Sequence, residues 1–300
     1  MSAKARSETT GSTQCVPMRP DCVPCALRGA LHAVRQVSSD DWLAAKVLQQ
    51  VMADMPEVDP ERSPAEYSLE VLGKALKVAG NADPYKEERA RHNTAARELL
   101  PLAEKSLNGS GDRLETAARL ALAGNCFDPV LEDFDPEEYL ESALKNTPER
   151  FDYQEFRQAA RAADTVLYLL DNCGEAVFDK LLVQELSGPD REIFVAVRHS
   201  PVLNDVTRQE AEELSFSDVA TIIDPGKPML GVTLNFASAQ FRDLFKSADM
   251  IVSKGQANYE TLAGCERDIF FLLQVKCQVV ADHLGLKSGS ACLAYHRSGS

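Results

Sequence analysis

The spacing of hydrophobic residues changes near residue 164 and divides the chain into two parts. Up to residue 163, apolar residues recur every three or four positions, which predicts amphipathic helices rather than strands. In PCALRGALHAVRQV, Leu27, Leu31 and Val34 fall on one helical face, and Pro24 suits the first turn. The helices predicted in this part span residues 24–37, 38–55, 63–80, 83–107, 112–124, 135–144 and 152–163.

Beyond residue 164, short apolar runs alternate with amphipathic segments. The runs that predict strands are TVLYLL (165–170), EIFVAV (192–197), ATII (220–223), DMIV (249–252) and DIFFLLQV (268–275). The helices predicted between them span residues 174–186, 204–214, 235–246 and 256–264. Near-continuous apolar strands separated by helices are typical of a parallel sheet covered on both faces. We therefore expect a doubly wound, three-layer sheet that carries an all-helical N-terminal region.

Polar clusters follow four of the predicted strands, each at the point where the strand ends. They read DNCGE, RHSPVLND, DPGKP and SKGQANYE, in chain order. Because the carboxyl ends of parallel strands meet at one edge of a sheet, these four loops should lie together. Ligands of open α/β sheets bind at that edge. The sequence therefore predicts a ligand site built from these loops.

Asp171, Asn172 and Asp205 supply oxygen atoms to this predicted edge. Two carboxylates and an amide carbonyl, completed by water and substrate, suit Mg²⁺ or Mn²⁺. Helix capping is the alternative interpretation, because Asp and Asn are common immediately before a helix. It applies more readily to Asp205 than to a polar pair directly after a buried strand.

Lys254 and Gly255 follow the fourth predicted strand and precede a helix, an arrangement that can bind an anion. A Lys-Gly pair also occurs in ordinary turns, so its position at the same edge is what favours a phosphate role. Arg198, at the end of the second strand, could face the same ligand. In GNCFDP, Asn125 and Asp128 are first explained by a plain helix stop.

Composition limits the classes of partner. The net charge of −14 and the pI near 4.9 argue against a nucleic-acid surface, which needs clustered Lys and Arg. We find no apolar run long enough for a membrane span and no secretory signal, and so expect a cytoplasmic protein with reduced thiols. CVPC (22–25) is a single C-x-x-C motif without the second pair of a Cys₄ zinc site, which leaves redox chemistry, metal binding or simple packing open.

Several motifs, taken in order, resemble the metal-dependent damage-control phosphatase family, in its prokaryotic branch. They are DCVPCALRGAL, GNCFD, DNCGEAVFDKLL, SPVLNDVT, DPGKPMLG, ADMIVSKGQANYETL and FFLLQVKC, and they cover roughly residues 18 to 285. The resemblance implies a helical N-terminal region at 18–163 and a Rossmann-like α/β/α catalytic core at 164–290, after a mobile tail at 1–17. Cys173 departs from the family pattern, since a small residue such as Ala is usual there.

The resemblance also implies hydrolysis of phosphomonoesters such as sugar phosphates or damaged phosphorylated metabolites. It implies a divalent ion (Mn²⁺, Mg²⁺, Co²⁺ or Ni²⁺) held by Asp171, Asn172 and Asp205, with Lys254 near the phosphate and Asp171 or Asp205 orienting the attacking water. The residues expected to contact the substrate are Asn125, Asp128, Glu175, Arg198, Lys254, Gly255 and Asn258.

Two other functions remain open on the sequence. An S-adenosylmethionine-dependent carboxyl methyltransferase would use the same sheet edge, but no G-x-G turn follows the first strand, and methyl transfer needs no hard metal ion. A metal- or nucleotide-binding module without turnover would use the same oxygen ligands. The sequence does not indicate an oligomeric state.

Overall fold

The computed structural model describes residues 15–125 and 136–299, so the predicted substrate residue Asp128 lies outside the described residues. Within these described residues, seven helices belong to the N-terminal part: α1 (Cys22–Val37), α2 (Asp41–Ala53), α3 (Pro64–Ala79), α4 (Lys86–Asn108), α5 (Arg113–Gly124), α6 (Pro136–Lys145) and α7 (Tyr153–Ala162). Five more follow in the second part: α8 (Glu175–Leu186), α9 (Arg208–Glu213), α10 (Ala239–Ser247), α11 (Gln256–Leu262) and α12 (Gln278–Leu284).

Local sequence signals account for the helix ends. Ser63 and Glu66 form a capping box at the start of α3, where Pro64 occupies the first helical position. The helix ends on Gly80, whose φ of +74° lies in the left-handed region that glycine adopts readily. The predicted boundaries of this helix are therefore confirmed to within one residue.

The strands form one sheet, with order β1-β7-β6-β5-β2-β3-β4. They are β1 (Arg150–Phe151), β2 (Thr165–Leu169), β3 (Glu192–Ala196), β4 (Thr221–Ile223), β5 (Met250–Lys254), β6 (Ile269–Gln274) and β7 (Ala291–His296). Neighbouring strands run parallel except for β6 and β7. The chain crosses from β2 to β3 and β4 and then returns to β5 on the other side of β2. The carboxyl ends of β2 and β5 therefore flank the point where strand order reverses.

Both faces of the sheet are covered, as the sequence predicted. Alternate residues of β2 point to opposite faces, so Val166 and Tyr168 join one hydrophobic cluster while Leu167 and Leu169 join another. The first cluster includes residues of α4, α5, α7 and α8, and the second includes residues of α1, α3, α10 and α12. The three-layer α/β fold is confirmed, and the N-terminal helices pack against both faces of the sheet.

Three of the α-helices and strands of the described residues were not predicted. Strand β1 interrupts the part predicted to be all-helical, but its two residues are too few to show a periodic pattern. Strand β7 lies beyond the predicted end of the core at residue 290, and the Ser- and Gly-containing sequence around it obscured the buried Cys292 and Leu293. Helix α12 spans only seven residues. The sheet is consequently mostly parallel, with one antiparallel pair at β6–β7.

The lengths and compositions of the helices show whether any of them could span a membrane. Within residues 15–125 and 136–299, no helix combines the length and the apolar character needed to cross a bilayer. The division into a helical part at 18–163 and a core at 164–290 stays a prediction about organisation, since both parts contribute to the same hydrophobic clusters.

Phe271 tests the core of the sheet. It is fully buried on β6, and its ring lies 4.9 Å from the ring of Tyr259. We expect Phe271→Ala to lower the free energy of unfolding by about 3–5 kcal/mol, because it removes buried surface and leaves a cavity. Phe236, whose side chain is 54% exposed, is the matched control. Phe236→Ala should change stability by less than about 0.5 kcal/mol in the same urea titration; equal losses in the two variants would contradict this packing.

Candidate active site

The loops after β2 and β3 bring the three predicted metal ligands together. Asn172 and Asp205 form an isolated antiparallel bridge, and the backbone N–H of Val206 donates to the carbonyl of Asp171 at 2.8 Å. The N–H of Cys173 donates to the carbonyl of Asn204, also at 2.8 Å. These backbone bonds place Asp171, Asn172 and Asp205 on the wall of one cavity of about 290 Å³.

Arg198 connects the two carboxylates. Its Nε donates to Asp205 Oδ2 at 2.5 Å, and its Nη2 donates to Asp171 Oδ1 at 3.1 Å. Its Nη1 donates to Asn258 Oδ1 at 3.0 Å, while the Asn258 amide donates to the carbonyls of Leu170 and Lys254. All three guanidinium nitrogens are thus bound to protein. Arg198 therefore holds both carboxylates, and Asn258 holds Arg198; the predicted substrate contacts of these two residues stay predictions.

Gly255 allows the end of β5 to lie close to the Asp171 carboxylate. Its φ is +76°, and a Cβ atom built there would lie 1.9 Å from Asp171 Oδ2. The other contact of that oxygen is with Asn172, whose Nδ2 donates to it at 2.8 Å. A side chain at position 255 would therefore displace the Asp171 carboxylate. The sequence indicated an anion-binding turn at Lys254 and Gly255, but it did not indicate this close approach to Asp171.

Lys254 lies in a second network beside the cavity. It is fully buried, and its Nζ donates to the carbonyl of Ala121 at 2.8 Å, to Asp179 Oδ1 at 2.6 Å and to Glu175 Oε1. These contacts use the three donors of an ammonium group. The predicted contact between Lys254 and phosphate stays a prediction; in the structure, the ammonium group binds these three protein oxygens.

Asn125 joins α5 to the same network. Its Nδ2 donates to Glu175 Oε2 at 2.8 Å, and its Oδ1 accepts from the backbone N–H of Gln274 at 2.7 Å. Glu175 is 1% exposed, so its two oxygens are satisfied by Asn125 and Lys254 rather than by solvent. Asn125 therefore does more than end a helix: it fixes a buried carboxylate at the sheet edge.

Buried carboxylates outnumber buried cations in the two networks. The groups are four acids and two bases: Asp171, Glu175, Asp179, Asp205, Arg198 and Lys254. Burial, together with the Asp205 and Glu175 carboxylates, raises the pKa of Asp171 well above its usual range. Burial also raises the pKa of Asp179 to about 7, although Lys254 opposes this rise. With all six groups ionised, the four carboxylates would outnumber the two cations, and these raised pKa values are the response to that excess.

This donor set fits a divalent cation. Two carboxylates and an amide oxygen are hard ligands of the kind Mg²⁺ and Mn²⁺ prefer. Among the described residues, no three His, Cys, Asp or Glu side chains are grouped to hold a metal ion. The proposed donor set therefore includes the amide oxygen of Asn172 beside the carboxylates of Asp171 and Asp205.

Lys276 lines the cavity and was missed as a site residue. Its side chain is exposed, and its charge opposes the rise in the pKa of Asp171 and Asp205. Its backbone N–H donates to Gln256 Oε1 at 2.8 Å. The strand-end rule could have identified Lys276, because Lys276 follows β6 just as Asp171 and Arg198 follow β2 and β3.

Comparisons with known proteins define the class of protein. Residues 18–292 match the sequence model described as the damage-control phosphatase ARMT1-like domain. The chain therefore belongs to this family, and the resemblance inferred from the motifs is confirmed.

Individual relatives cover nearly the whole chain. A damage-control phosphatase of Archaeoglobus fulgidus is 30% identical over 280 residues, 90% of this chain and 96% of that protein. A damage-control phosphatase of Pyrococcus horikoshii is 31% identical over 282 residues, 90% of this chain and 95% of that protein. The crystal structure of a DUF89 family protein from Pyrococcus horikoshii superposes with a TM-score of 0.84 at 28% identity, covering 92% of this chain and 98% of that one.

Gly255→Ala tests the approach of β5 to Asp171. We expect it to lower the free energy of unfolding by about 2–4 kcal/mol, since it combines a strained backbone with a clash against a buried carboxylate. Gly285→Ala is the matched control, because Gly285 has a similar φ of +69° but no atom within 4 Å of its added Cβ. Chemical denaturation should show the loss at Gly255 exceeding that at Gly285; losses of equal size would mean that the Asp171 contact is unimportant.

Proposed function

We propose that the protein is a divalent-metal-dependent phosphatase that hydrolyses phosphomonoesters of small phosphorylated metabolites. The observation that carries this proposal is a cavity whose wall combines the buried carboxylates of Asp171 and Asp205 and the Asn172 amide with an exposed lysine, Lys276. The family name of the relatives points to the same class of reaction.

Asp171, Asn172 and Asp205 would hold the metal ion, which we expect to be Mn²⁺, Mg²⁺, Co²⁺ or Ni²⁺. When bound, such an ion supplies Lewis-acid chemistry, neutralising charge on the phosphate oxygens. The excess negative charge of the site supports a cation at this position, because a like-charged phosphate would otherwise be repelled.

Arg198 acts as a positioning residue in this proposal. Its bonds to Asp171 and Asp205 fix both carboxylates and favour their ionised forms. Either carboxylate can then accept a hydrogen bond from the attacking water and orient it towards phosphorus. Because the two are held by the same guanidinium, loss of Arg198 would disturb both.

Two lysines have different roles in this reaction. Lys276 is exposed on the cavity wall, so we assign it to the phosphate oxygens, where a positive charge stabilises the developing negative charge. Lys254 is saturated by Glu175, Asp179 and the Ala121 carbonyl, so we assign it to holding Glu175. The buried pair then keeps the β5 end, with Gly255, against Asp171.

The size of the cavity supports a small substrate. A volume of about 290 Å³ suits a sugar phosphate or a damaged phosphorylated metabolite of similar size. The walls beyond the acidic cluster come from α1 and α3, through residues such as Ala26, Gly29 and Ser68.

Phosphate release from a panel of sugar phosphates and nucleotides, with and without EDTA and added divalent ions, tests the proposal. We expect turnover that EDTA abolishes and added metal restores. Asp171→Asn should lower the rate by roughly 100-fold or more, because it removes a charged metal ligand without changing side-chain size. Asp224→Asn is the control, since Asp224 pairs with His199 outside the cavity. Full activity of Asp171→Asn with Mn²⁺ would overturn the ligand assignment.

Lys276→Met tests the phosphate contact separately. We expect kcat/KM to fall roughly 10- to 100-fold while binding of Mn²⁺, measured by calorimetry, is retained, because the lysine acts on the substrate. Lys287→Met removes an exposed lysine outside the cavity and should leave the kinetics unchanged. Unchanged kcat/KM in Lys276→Met would mean that a cation other than Lys276 contacts the phosphate.

A further inference from the structure

Three carboxyl groups of the described residues line the cavity, and the proposed function uses only two of them. Asp171 and Asp205 are paired with Arg198, whereas Glu260 forms no ion pair with a lysine or arginine in the described part of the chain. Glu260 lies on α11 and is 7% exposed. A buried carboxyl group without a cation is costly unless hydrogen-bond donors satisfy it.

Two other residues of the cavity wall hold the Glu260 carboxyl group. Gln256, one turn earlier on α11, donates from Nε2 to Glu260 Oε1 at 2.8 Å. The backbone amide of Ala65, in the first turn of α3, also favours the ionised form. Gln256 and Ala65 both line the cavity. A carboxylate offers about four acceptor positions, so these two protein donors leave acceptor capacity for a ligand.

The protonation of Glu260 indicates which ligand group suits it. Burial raises the pKa of Glu260 to about 7, although the bonds from Gln256 and Ala65 oppose this rise. Both the ionised and the protonated carboxyl group are therefore present near neutral pH. A hydroxyl group can donate to the first form and accept from the second, whereas an ammonium group can only donate. A ligand hydroxyl consequently matches this carboxyl group in either state.

We propose that Glu260 is a specificity-determining residue that hydrogen-bonds a hydroxyl group of the substrate, so that the enzyme favours polyhydroxylated phosphomonoesters over their deoxygenated analogues. The assignment rests on the proposed phosphatase function, in which the phosphate lies beside Asp171, Asp205 and Lys276. The body of the substrate then extends towards α1 and α3, where the wall is formed mainly by small residues such as Ala26 and Gly29.

Gln256 connects the two ends of the substrate site. Its Nε2 donates to Glu260, and its Oε1 accepts from the backbone N–H of Lys276 at 2.8 Å. One side chain thus sets the position of the hydroxyl-binding carboxyl group relative to the residue assigned to the phosphate. Because this spacing is fixed, we expect Glu260 to recognise a hydroxyl at one position of the substrate rather than any hydroxyl.

Deoxygenated substrates test this recognition in the full-length protein. Phosphate release is measured with glucose 6-phosphate and its 2-, 3- and 4-deoxy analogues, and with ribose 5-phosphate and its 2- and 3-deoxy analogues. We expect removal of one particular hydroxyl to lower kcat/KM roughly 10- to 100-fold, because a site built to bond a hydroxyl rejects the analogue that lacks it. Equal kcat/KM for every deoxy analogue and its parent would overturn the proposal.

Glu260→Gln assigns the lost preference to this residue. Its single amide oxygen is left to the donors of Gln256 and Ala65, so kcat/KM for the hydroxylated parent should fall roughly 10- to 100-fold. The value for the sensitive deoxy analogue should stay within about threefold of the wild type. Glu260→Asp, which withdraws the carboxyl group by one methylene, should show the same pattern and serves if the first variant does not fold. Glu266→Gln, at an exposed carboxyl group, should leave both values unchanged.

The pattern of losses separates recognition from support of the wall. Equal losses for parent and deoxy analogue would mean that Glu260 only supports the fold, and would overturn the proposal. Glucosamine 6-phosphate supplies an amine in place of the 2-hydroxyl. A kcat/KM above that of glucose 6-phosphate, with the loss in Glu260→Gln confined to the amine, would show that Glu260 pairs with a cation and would also overturn it.

Calorimetry distinguishes failure of this proposal from failure of the proposed function. Absence of phosphate release from every compound with every divalent ion would count against the phosphatase. Binding of the same sugar phosphates would then decide the role of Glu260. Tighter binding of a parent than of one deoxy analogue, by about tenfold and lost in Glu260→Gln, would support hydroxyl recognition without turnover. Equal binding of parents and analogues would overturn it.

Discussion

The Arg198 guanidinium between two buried carboxylates is the interaction on which the candidate site depends. Asp171 comes from the end of β2 and Asp205 from the loop after β3, so a single cation joins two connections of the sheet. Burying these charges is costly unless they are paired, and removing one partner of such a set costs about 3–5 kcal/mol. The same pairing therefore stabilises the sheet edge and fixes the donor atoms that face the cavity.

The order of strands places the charge network of Lys254 beside the charge network of Arg198. Because β5 pairs with β2, the ends of these strands meet, and Gly255 allows the backbone to reach Asp171. Lys254 then points to the opposite side and binds Glu175 at the start of α8. Glu175 in turn raises the pKa of Asp171, so the networks are coupled through charge. A cation bound in the cavity would offset the excess of carboxylates in both networks.

Sequence reasoning reached the fold and the carboxylates because both follow from patterns along the chain. Apolar runs located β2 to β6, and the strand-end rule then brought Asp171, Asn172 and Asp205 together. It did not reveal which way a side chain points, so it did not predict that Lys254 is buried against Asp179 of α8.

The two parts of the chain supply different kinds of side chain to the cavity walls. The sheet edge supplies the charged groups, while α1 and α3 supply small and polar side chains such as Ala26, Gly29 and Ser68. Under the proposed function, the chemistry of phosphate is therefore fixed by the sheet, and discrimination among metabolites falls to the helices.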